Sequence, residues 1–547
     1  MSNMFENKGA LGKTIVVAAA DSLNQGQANY VCDGTIPDDA VIQAALDALP
    51  ATGGEVLLLD GTYNCTATID LDSNQTLRGC GRNTILTTST AGLVFLSAVG
   101  GAGTEKKGIV IADLQIYGAA AALGAEGIHF EYTDYSIVYN VYTYRFNAQG
   151  NKSGIYLTSC DFNVIIGNAA LYCYRGVYLI SSTGNTITGN NGHHDHRDIE
   201  LDGSSYNTIA GNTYETNIIS SIWLVNNSNS NTITGNTCRY GNYDGIQIHT
   251  SSKNTVTGNT VQGFAYEGIT LPTASHYNTI SGNTCLGNTF NGILLDKSNN
   301  NTISGNTCAG NGRAGISLVT SHNNAVVGNL CTENSQTTTN TYQDIDIALS
   351  NYNDVQDNIC RAGALANKPQ YAIYISGISN VVIDNDLYND GFGTAPFNDA
   401  GTLTRLNTYK VPFSDGSDRQ DSGFLIDAAA EMARAWLRLP DKVVQVVRAK
   451  VYARSVVLEA DKMRAEFVVY GAADNEAYNT HNGSVADHPS TSANFAANDV
   501  IYWTLTAAGL RAMLGGDSIE VKVLHEVAGG ADCATNAYFR TVEIEYV

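Results

Sequence analysis

Short alternations of apolar and polar residues recur along the middle of the chain at a nearly constant interval. The phrase Asn-Thr-Ile-Thr-Gly-Asn, or a close variant, steps by 22 to 24 residues and begins at 163, 185, 207, 231, 254, 278, 301 and 324, with a later copy at 380. A second apolar–polar piece follows, as in Gly-Val-Tyr-Leu at 176–179 and Gly-Ile-Leu-Leu at 292–295. Two short β-rich pieces per period, separated by Gly and Asn turns, are typical of one coil of a β-solenoid.

The alternation also predicts which side chains face the interior. Successive residues of a strand point to opposite faces, so Ile155 and Leu157, and likewise Ile246 and Ile248, are expected inside. The second Asn of each phrase is expected to join an internal ladder of amides, formed by Asn190, Asn212, Asn236, Asn259, Asn283, Asn306 and Asn329. Two residues later, one repeat position holds thiols that we expect to be buried and unpaired, namely Cys285, Cys308, Cys331 and Cys360.

Residues 33–64 combine an amphipathic segment, expected to be a helix at about 38–49, with the phrase Gly-Gly-x-Val-x-Leu-x-x-Gly-Thr-Tyr. This stretch resembles the N-terminal cap of the pectate-lyase-like superfamily. The later repeats resemble the PbH1-type repeats of that superfamily's right-handed parallel β-helices. The resemblance covers about residues 13–400 and implies an all-β fold. It does not specify a reaction, because the fold hosts lyases, hydrolases, epimerases and virion spikes.

These patterns divide the chain into three parts. Residues 1–32 are an N-terminal extension, and residues 33–404 are the β-helix with its N-terminal cap. The Gly and Asn repeats stop after about 405, and residues 405–547 carry strand-like runs that predict a C-terminal β-sandwich for capping, glycan binding or oligomerisation. Within this part, 428–438 is expected to form a short helix.

Composition and charge narrow the classes of function. Charged residues make up 15% of the 547 residues, and the formal net charge is -22, so a nucleic-acid partner is not expected. The chain lacks an apolar run of about 18 residues, so we expect no membrane insertion. Its N-terminus shows no signal-peptide pattern. The absence of a signal-peptide pattern, together with a long thiol-bearing β-helix and a C-terminal β-sandwich, resembles bacteriophage tailspikes. This resemblance implies an extracellular or virion-associated homotrimer.

One strand concentrates acidic residues. When the second strands of the coils are aligned, Asp198, Glu200 and Asp202 are expected on a single outer face at i, i+2 and i+4, roughly 6.5–7 Å apart. That spacing is about the carboxyl separation of an inverting glycosidase. Crowding is expected to raise the pKa of at least one acid, as a general acid requires.

Candidate substrate-binding residues surround these acids. Neighbouring coils place aromatic rings suited to sugar faces at the aligned position, and a basic turn precedes the acidic strand. The substrate-binding candidates are Tyr156, Tyr178, Trp223, Arg175, Arg197 and His249, and His196 in the turn is a further catalytic candidate. The run Gly-His-His-Asp-His-Arg at 192–197 also suits a solvated turn or a chance metal site. Acids on a solvated solenoid face are common, so a non-functional cluster stays an alternative.

Two enzymatic mechanisms remain open. In a glycoside hydrolase, Glu200 or Asp202 would protonate the glycosidic oxygen, its partner would activate water, and Asp198 would tune their pKa values. In a polysaccharide lyase, the arginines, or Ca²⁺ held by the acids, would neutralise a uronate, and His196 or a tyrosine would abstract a proton. Neither requires an organic cofactor, and no metal site is predicted.

The leading hypothesis is a polysaccharide-active enzyme that binds a glycan along the outer face of the β-helix. If the enzyme is a lyase, the glycan is expected to be anionic. The alternative is a non-catalytic glycan-binding or structural virion protein, in which the β-helix serves as a spacer. The uronate epimerases of the superfamily carry an Asp-Pro-His motif. That triplet does not occur in the repeat region, so a uronan C5-epimerase ranks lower.

Overall fold

The computed structural model describes residues 13–401, apart from 119–125, 147–151 and 388–391, and the backbone of the strands between 405 and 546. In this part the chain winds into a right-handed parallel β-solenoid, in which each full coil adds one strand to each of three parallel sheets. The predicted right-handed parallel β-helix is confirmed. A helix, Asp38–Asp47, lies near its beginning, and residues Gln25–Gln27 form a short 3₁₀ turn.

Consecutive strands of one sheet lie one coil apart in the repeats. The first sheet has 17 strands: Lys13–Ala18, Tyr30–Val31, Gly54–Leu58, Gln75–Arg78, Val110–Ala112, Ile137–Tyr139, Val164–Ile166, Thr186–Thr188, Thr208–Ala210, Thr232–Thr234, Thr255–Thr257, Thr279–Ser281, Thr302–Ser304, Ala325–Val327, Asp354–Gln356, Val381–Ile383 and Arg405–Asn407. The second has 14: Gly61–Asn64, Thr84–Thr88, Gln115–Gly118, Tyr142–Tyr144, Ala169–Leu171, Asn191–His193, Thr213–Glu215, Thr237–Arg239, Thr260–Gln262, Thr284–Leu286, Thr307–Ala309, Leu330–Thr332, Ile359–Arg361 and Asp386–Leu387.

The third sheet carries the acidic strand. Its 14 strands are Ile69–Asp70, Val94–Val99, Glu126–Glu131, Ser153–Thr158, Arg175–Ile180, Arg197–Asp202, Ser220–Val225, Ile246–Ile248, Ile269–Pro272, Ile293–Asp296, Ile316–Val319, Ile345–Ala348, Tyr371–Ile375 and Ala395–Asp399. Two short strands, Lys106–Lys107 and Thr133–Asp134, pair outside the three sheets.

The interior is built from stacked copies of the same side chain. Ile187, Ile209 and Ile233 pair in register and are fully buried, while the threonines on either side face outward and are partly exposed. Each buried Ile contributes roughly 1.5–3 kcal/mol through removal of its apolar surface from water. The four repeat-position cysteines are likewise buried and unpaired, as expected.

The predicted asparagine ladder is present. The Asn190 side-chain nitrogen donates to Asn212 Oδ1 at 3.0 Å and to the Ile165 carbonyl at 2.9 Å. The first Asn of the phrase forms a second ladder that the sequence analysis did not anticipate, in which Asn185 Nδ2 donates to Asn207 Oδ1 at 3.0 Å. Both ladders also accept backbone N–H groups, as Asn207 Oδ1 does from Asn185 and Asn212 Oδ1 does from Asn190, both at 2.8 Å.

The helix predicted at about 38–49 is observed at Asp38–Asp47. It buries Ile42 and Leu46 in the core. Carboxylates of its first turn accept backbone N–H groups, Asp38 from Asn64 and Asp39 from Thr66, both at 2.6 Å. Acids at a helix N-terminus are also favoured by the helix dipole. The three-part domain division, including a capping role for this segment, stays a prediction.

Beyond residue 405 the described strands form two antiparallel sheets. One contains Arg419–Gln420, Gly423–Ile426, Ala537–Tyr546, Val446–Ser455 and Val500–Thr504, and the other contains Met432–Arg438, Ser518–His525, Met463–Tyr470 and Gly483–Val485. The expected helix at 428–438 is wrong, because Met432–Arg438 pairs with Ser518–His525 and strand pairing overrides helix propensity. Face-to-face packing of the sheets as a sandwich stays a prediction.

Candidate functional site

The outer face of the third sheet carries a row of side chains at the middle of successive strands, here called the central row. Strand pairing places Tyr156, Tyr178, Glu200, Trp223 and Gln247 in register along it. This confirms the alignment predicted from the sequence. A second row, the leading row, lies three residues earlier on each coil and includes Arg175 and Arg197, which are also in register.

Glu200 is buried and held by two arginines. Arg175 donates to both carboxylate oxygens of Glu200, through Nε to Oε2 and through Nη2 to Oε1 at 3.2 Å. Arg197 Nη1 donates to Oε2 at 3.3 Å. The guanidinium of Arg175 lies 4.0 Å from the ring centroid of Tyr178, and that of Arg197 lies 3.9 Å from Trp223. Two guanidinium groups therefore surround one buried carboxylate, in charge-assisted hydrogen bonds.

Asp202 lies farther along the same strand and is partly exposed. Its Oδ2 accepts from the Tyr178 hydroxyl at 3.3 Å, and its Oδ1 accepts from the Asn226 side chain at 2.8 Å. Asp202 is thus the more accessible of the two acids on this outer face. The predicted catalytic roles of Glu200 and Asp202 stay predictions.

The expectation that Asp198 shares this outer face is wrong. Asp198 is 1% exposed and lines a small cavity inside the solenoid. The chain bends where the strand begins: Arg197 pairs with Ser220 and Ile199 with Ile222, and Asp198 falls between the two pairs. Residue 198 therefore points inward together with Ile199, and the strict alternation assumed from the sequence fails at this corner.

The tyrosines of the central row do not present open ring faces. Tyr156 and Tyr178 are 9% and 3% exposed. Their rings stack on each other with centroids 5.3 Å apart, and His129 packs on Tyr156 at 4.6 Å. The expectation that both rings offer flat platforms to a sugar is wrong, because both side chains are buried.

The predicted histidines lie on different parts of the surface. His196 is half-buried just before the leading row, with its ring 4.7 Å from Tyr174, and burial lowers the pKa of its imidazole. His249 lies two coils away, where its Nδ1 contacts the Thr250 hydroxyl at 3.3 Å. The structure does not bring His249 together with the acidic strand.

A carboxyl pair that the sequence analysis missed occupies the leading row two and three coils beyond Arg197. Asp244 and Glu267 are 4% and 8% exposed. The Glu267 backbone N–H donates to Asp244 Oδ1 at 3.2 Å, and Asn291 Nδ2 donates to Glu267 Oε1 at 3.3 Å. Burial and the neighbouring Glu267 raise the pKa of Asp244 to about 8. Burial also raises the pKa of Glu267, so the pair carries a proton at neutral pH.

Exposed aromatic rings flank this pair. Tyr243 and Tyr266 are 45% and 37% exposed, with ring centroids 4.3 Å apart. Phe290 continues the row 4.9 Å from Tyr266, and the Arg313 guanidinium lies 3.9 Å from Phe290. An acid that keeps its proton at neutral pH thus lies next to apolar rings that solvent can reach.

A signal for this pair was present in the sequence. The tetrads Tyr-Asp-Gly-Ile at 243–246 and Tyr-Glu-Gly-Ile at 266–269 repeat an aromatic residue, an acid and a glycine just before the third-sheet strand. The glycine turns inward, since a Cβ on Gly245 would lie 2.1 Å from the Val261 side chain. The residue before the glycine therefore faces outward. The sequence pattern alone does not give this direction, so the alignment of the two acids became evident only in the structure.

Comparison with known families and structures gives the following matches. The model of the family described as periplasmic copper-binding protein (NosD) matches residues 83–290, 214–338 and 291–408, which together span more than half of the chain. No curated protein matches the chain. Among the described residues, no helix has the length and apolarity needed to cross a membrane.

Several solved β-helix structures are similar at low identity. A mutant of the periplasmic alginate epimerase AlgG is 16% identical, with 54% of this chain and 77% of that chain covered and a TM-score of 0.46. Tailspike protein 3 of bacteriophage CBA120 is 14% identical, with 69% and 57% covered and a TM-score of 0.48. A GH87 alpha-1,3-glucanase from Streptomyces thermodiastaticus strain HF3-3 is 17% identical, with 70% and 68% covered and a TM-score of 0.42.

Proposed function

This chain belongs to the family described as periplasmic copper-binding protein (NosD), and from that premise we propose that it is a carbohydrate-active enzyme that takes a polysaccharide along the outer face of the third sheet. The observation that carries the proposal is the protonated pair of Asp244 and Glu267 beside the exposed rings of Tyr243 and Tyr266. Flat apolar rings pack against sugar faces, and an acid that holds its proton at neutral pH can give it to a leaving oxygen. The family description also supports a location outside the cytoplasm.

Copper, which the family description names, plays no part in the proposal. Within the described ranges, no three His, Cys, Asp or Glu side chains form a group that could hold a metal ion. The histidines of the 192–197 turn diverge: His193 contacts Thr216, whereas His194 stacks on Tyr172. These residues do not fit a copper centre.

In the proposed hydrolysis, Asp244 protonates the glycosidic oxygen as the bond between that oxygen and the anomeric carbon breaks. Water supplies the oxygen that replaces it on carbon, and the proton released from water restores the shared proton of the pair. The Asp244 and Glu267 carboxyl groups share a side-chain hydrogen bond, so they are closer than the roughly 5–5.5 Å that separates an acid from a nucleophile in retaining glycosidases. Glu267 therefore acts by keeping the proton on Asp244.

A second candidate function is glycan binding without catalysis. It is favoured by the pairing of Glu200 with two arginines, which ties this carboxylate into the fold instead of leaving it open to a substrate. In that case the chain would be a surface or virion protein whose outer face binds a polysaccharide without cleaving it.

A panel of neutral and anionic polysaccharides tests the proposal. The full chain is incubated with each, and reducing ends and the absorbance of unsaturated products are followed together. We expect new reducing ends without an absorbance increase, since hydrolysis forms no double bond. An absorbance increase would instead indicate the lyase mechanism, and binding without either signal would indicate the second candidate function.

Variants then locate the reaction. Asp244→Asn keeps the shape but removes the proton, so kcat should fall by about 10²-fold or more. Tyr266→Ala should mainly raise KM. Asp296→Asn, a partly exposed acid on a later strand of the same sheet, serves as the matched control and should keep full activity. If Asp244→Asn is fully active and Asp202→Asn is not, the catalytic acid lies on the earlier strand.

A further inference from the structure

Tyrosines and arginines form a surface on the outer face of the second sheet, away from the catalytic pair proposed on the third sheet. Strand pairing places Tyr117 and Tyr144 in register, and Tyr142 lies two residues before Tyr144 on the same face. The ring centroids of Tyr117 and Tyr144 are 5.1 Å apart, and those of Tyr142 and Tyr144 are 6.2 Å apart. These three tyrosines, together with Arg82 and Arg145, are called the tyrosine–arginine surface.

The tyrosine rings hold both guanidinium groups in place. The Arg82 guanidinium lies 4.5 Å from the ring centroid of Tyr142, and that of Arg145 lies 5.1 Å from Tyr144. Arg145 Nη1 also donates to the Tyr117 hydroxyl at 3.1 Å. Arg82 is exposed and Arg145 is half-buried. Because stacking uses only the face of a guanidinium, in-plane N–H groups of both arginines remain able to bind a ligand from solvent.

This part of the second sheet offers the arginines no carboxylate. The ion pairs found among the described residues involve neither Arg82 nor Arg145. The five consecutive strands from Thr84–Thr88 to Asn191–His193 contain no acidic residue. The next strand carries Glu215, which pairs with Arg239 at 3.9 Å. In a chain with 52 acidic and 30 basic residues, an acid-free face with two cations is complementary to an anionic ligand.

The arrangement of these groups selects the ligand. The planar fork of a guanidinium matches a carboxylate. Arg82 and Arg145 stack on different rings, so they suit two carboxylates of one polymer better than a single small anion. Tyrosine hydroxyls between them can bond sugar hydroxyls. The aromatic row also continues towards the third sheet, since Tyr172 contacts Tyr144 with ring centroids 5.9 Å apart and stacks on His194 at 5.0 Å.

We propose that the tyrosine–arginine surface binds a linear polysaccharide that carries carboxylates, with Arg82 and Arg145 each pairing with one uronate. This surface goes beyond the proposed enzyme function, because it lies on a different sheet and takes no part in bond cleavage. Binding here does not depend on whether the third sheet cleaves the polymer. Where both surfaces engage one chain, the second sheet raises the local concentration of that chain at the third sheet.

Binding measurements with a matched pair of ligands test the charge of the ligand. The full chain carrying Asp244→Asn, which prevents the proposed cleavage, is titrated calorimetrically with oligogalacturonate and with its fully methyl-esterified form. The acid form should bind at least about tenfold more tightly, because each carboxylate forms charge-assisted hydrogen bonds with a guanidinium. Added salt should weaken its binding. Equal binding of the two forms, or no binding of the acid form, would overturn the proposal whatever the outcome of the cleavage assays.

Variants locate the binding surface. Arg82→Gln and Arg145→Gln should each raise the Kd for oligogalacturonate about tenfold. Arg239→Gln removes the same charge from the same sheet at an arginine that is paired with Glu215, so its Kd should stay within about twofold. Equal weakening by all three variants would indicate a general effect of net charge and overturn the site. Weakening by Tyr266→Ala alone would place binding on the third sheet and also overturn it.

A second probe separates a glycan from an acidic protein partner. Poly-glutamate of matched length carries the same charged groups without sugar hydroxyls, so it should bind more weakly than oligogalacturonate. Equal affinity for the two polymers, with equal sensitivity to Arg145→Gln, would assign the surface to an acidic polypeptide and overturn the proposed glycan.

Discussion

At the scale of single residues, burial and partners decide what each carboxyl group can do. Glu200 is buried and accepts hydrogen bonds from two guanidinium groups. Asp244 has a carboxylate for a neighbour and keeps its proton. The two acids occupy the same sheet face, yet their surroundings assign them opposite roles, one as an electrostatic anchor and the other as a proton donor.

The anchor role of Glu200 predicts a loss of stability on substitution. Glu200→Gln leaves Arg175 and Arg197 buried without their anionic partner, so the free energy of unfolding should fall by about 3 kcal/mol or more. Denaturant unfolding followed by circular dichroism measures this change. Asp296→Asn should lie within about 0.5 kcal/mol of the unmodified protein. An equally small effect of Glu200→Gln would mean that solvent screens the network.

The raised pKa of Asp244 predicts a pH dependence of stability. The pKa of Asp in an unfolded chain is about 3.9, whereas burial and Glu267 raise the pKa of folded Asp244 to about 8. The native state therefore holds a proton that the unfolded chain has lost, and this contribution is complete below about pH 4 and disappears as pH rises to about 8. Unfolding free energies measured across this range should fall less steeply for Asp244→Asn than for the unmodified chain.

At the scale of elements, the coil corners depend on asparagine as much as the strands depend on isoleucine. Asn236 Oδ1 accepts both the backbone N–H and the side chain of Asn212, at 3.0 and 2.9 Å. Its own nitrogen donates to Asn259 and to the Ile209 carbonyl. One side chain thus connects the coil before it with the coil after it.

This connection predicts a large effect of a small truncation. Asn236→Ala leaves the buried Asn212 N–H without its acceptor, at about 1–3 kcal/mol, and removes a donor to the Ile209 carbonyl. Thermal and denaturant unfolding should show the loss. Thr234→Ala, two residues away on the outer face of the first sheet, is the control and should change stability little. Similar effects of the two substitutions would contradict a structural role for the ladder.

At the scale of the whole molecule, contacts between neighbouring coils carry the fold. Parallel pairing runs without interruption from coil to coil through the 185–329 repeats. Charged residues are only 15% of the chain, which suits a fold held by stacked Ile, Thr and Asn. The homotrimer implied by the tailspike resemblance stays a prediction, which light scattering checks against the chain mass of 58.1 kDa.

Coil-by-coil pairing predicts strong and uniform protection from hydrogen exchange. Strand amides in residues 185–329 are bonded to an adjacent coil, so their exchange requires cooperative opening of stacked coils. Mass-resolved deuterium uptake should therefore be slow throughout this region in the native protein. Fast uptake confined to one coil would identify a local break in the array.

Much of the fold could be predicted from the sequence because it repeats a local rule. The 22 to 24 residue period and the alternation of Ile with Thr determined the solenoid, the inward isoleucines and one of the two asparagine ladders. The sequence also aligned Tyr178, Glu200 and Trp223 correctly, since the period sets the register between coils.

The candidate site was decided by tertiary structure. At the corner before the third-sheet strand the chain bends, so alternation does not hold, and Asp198 turns into the core instead of joining Glu200 outside. The same bend places Asp244 next to Glu267, although the two tetrads that contain them are 23 residues apart in sequence. Which carboxyl group keeps a proton depends on burial and neighbours in adjacent coils. The sequence by itself determined the period and the stacked rows, and only the three-dimensional winding decided which acids meet, which face they occupy and what charge they carry.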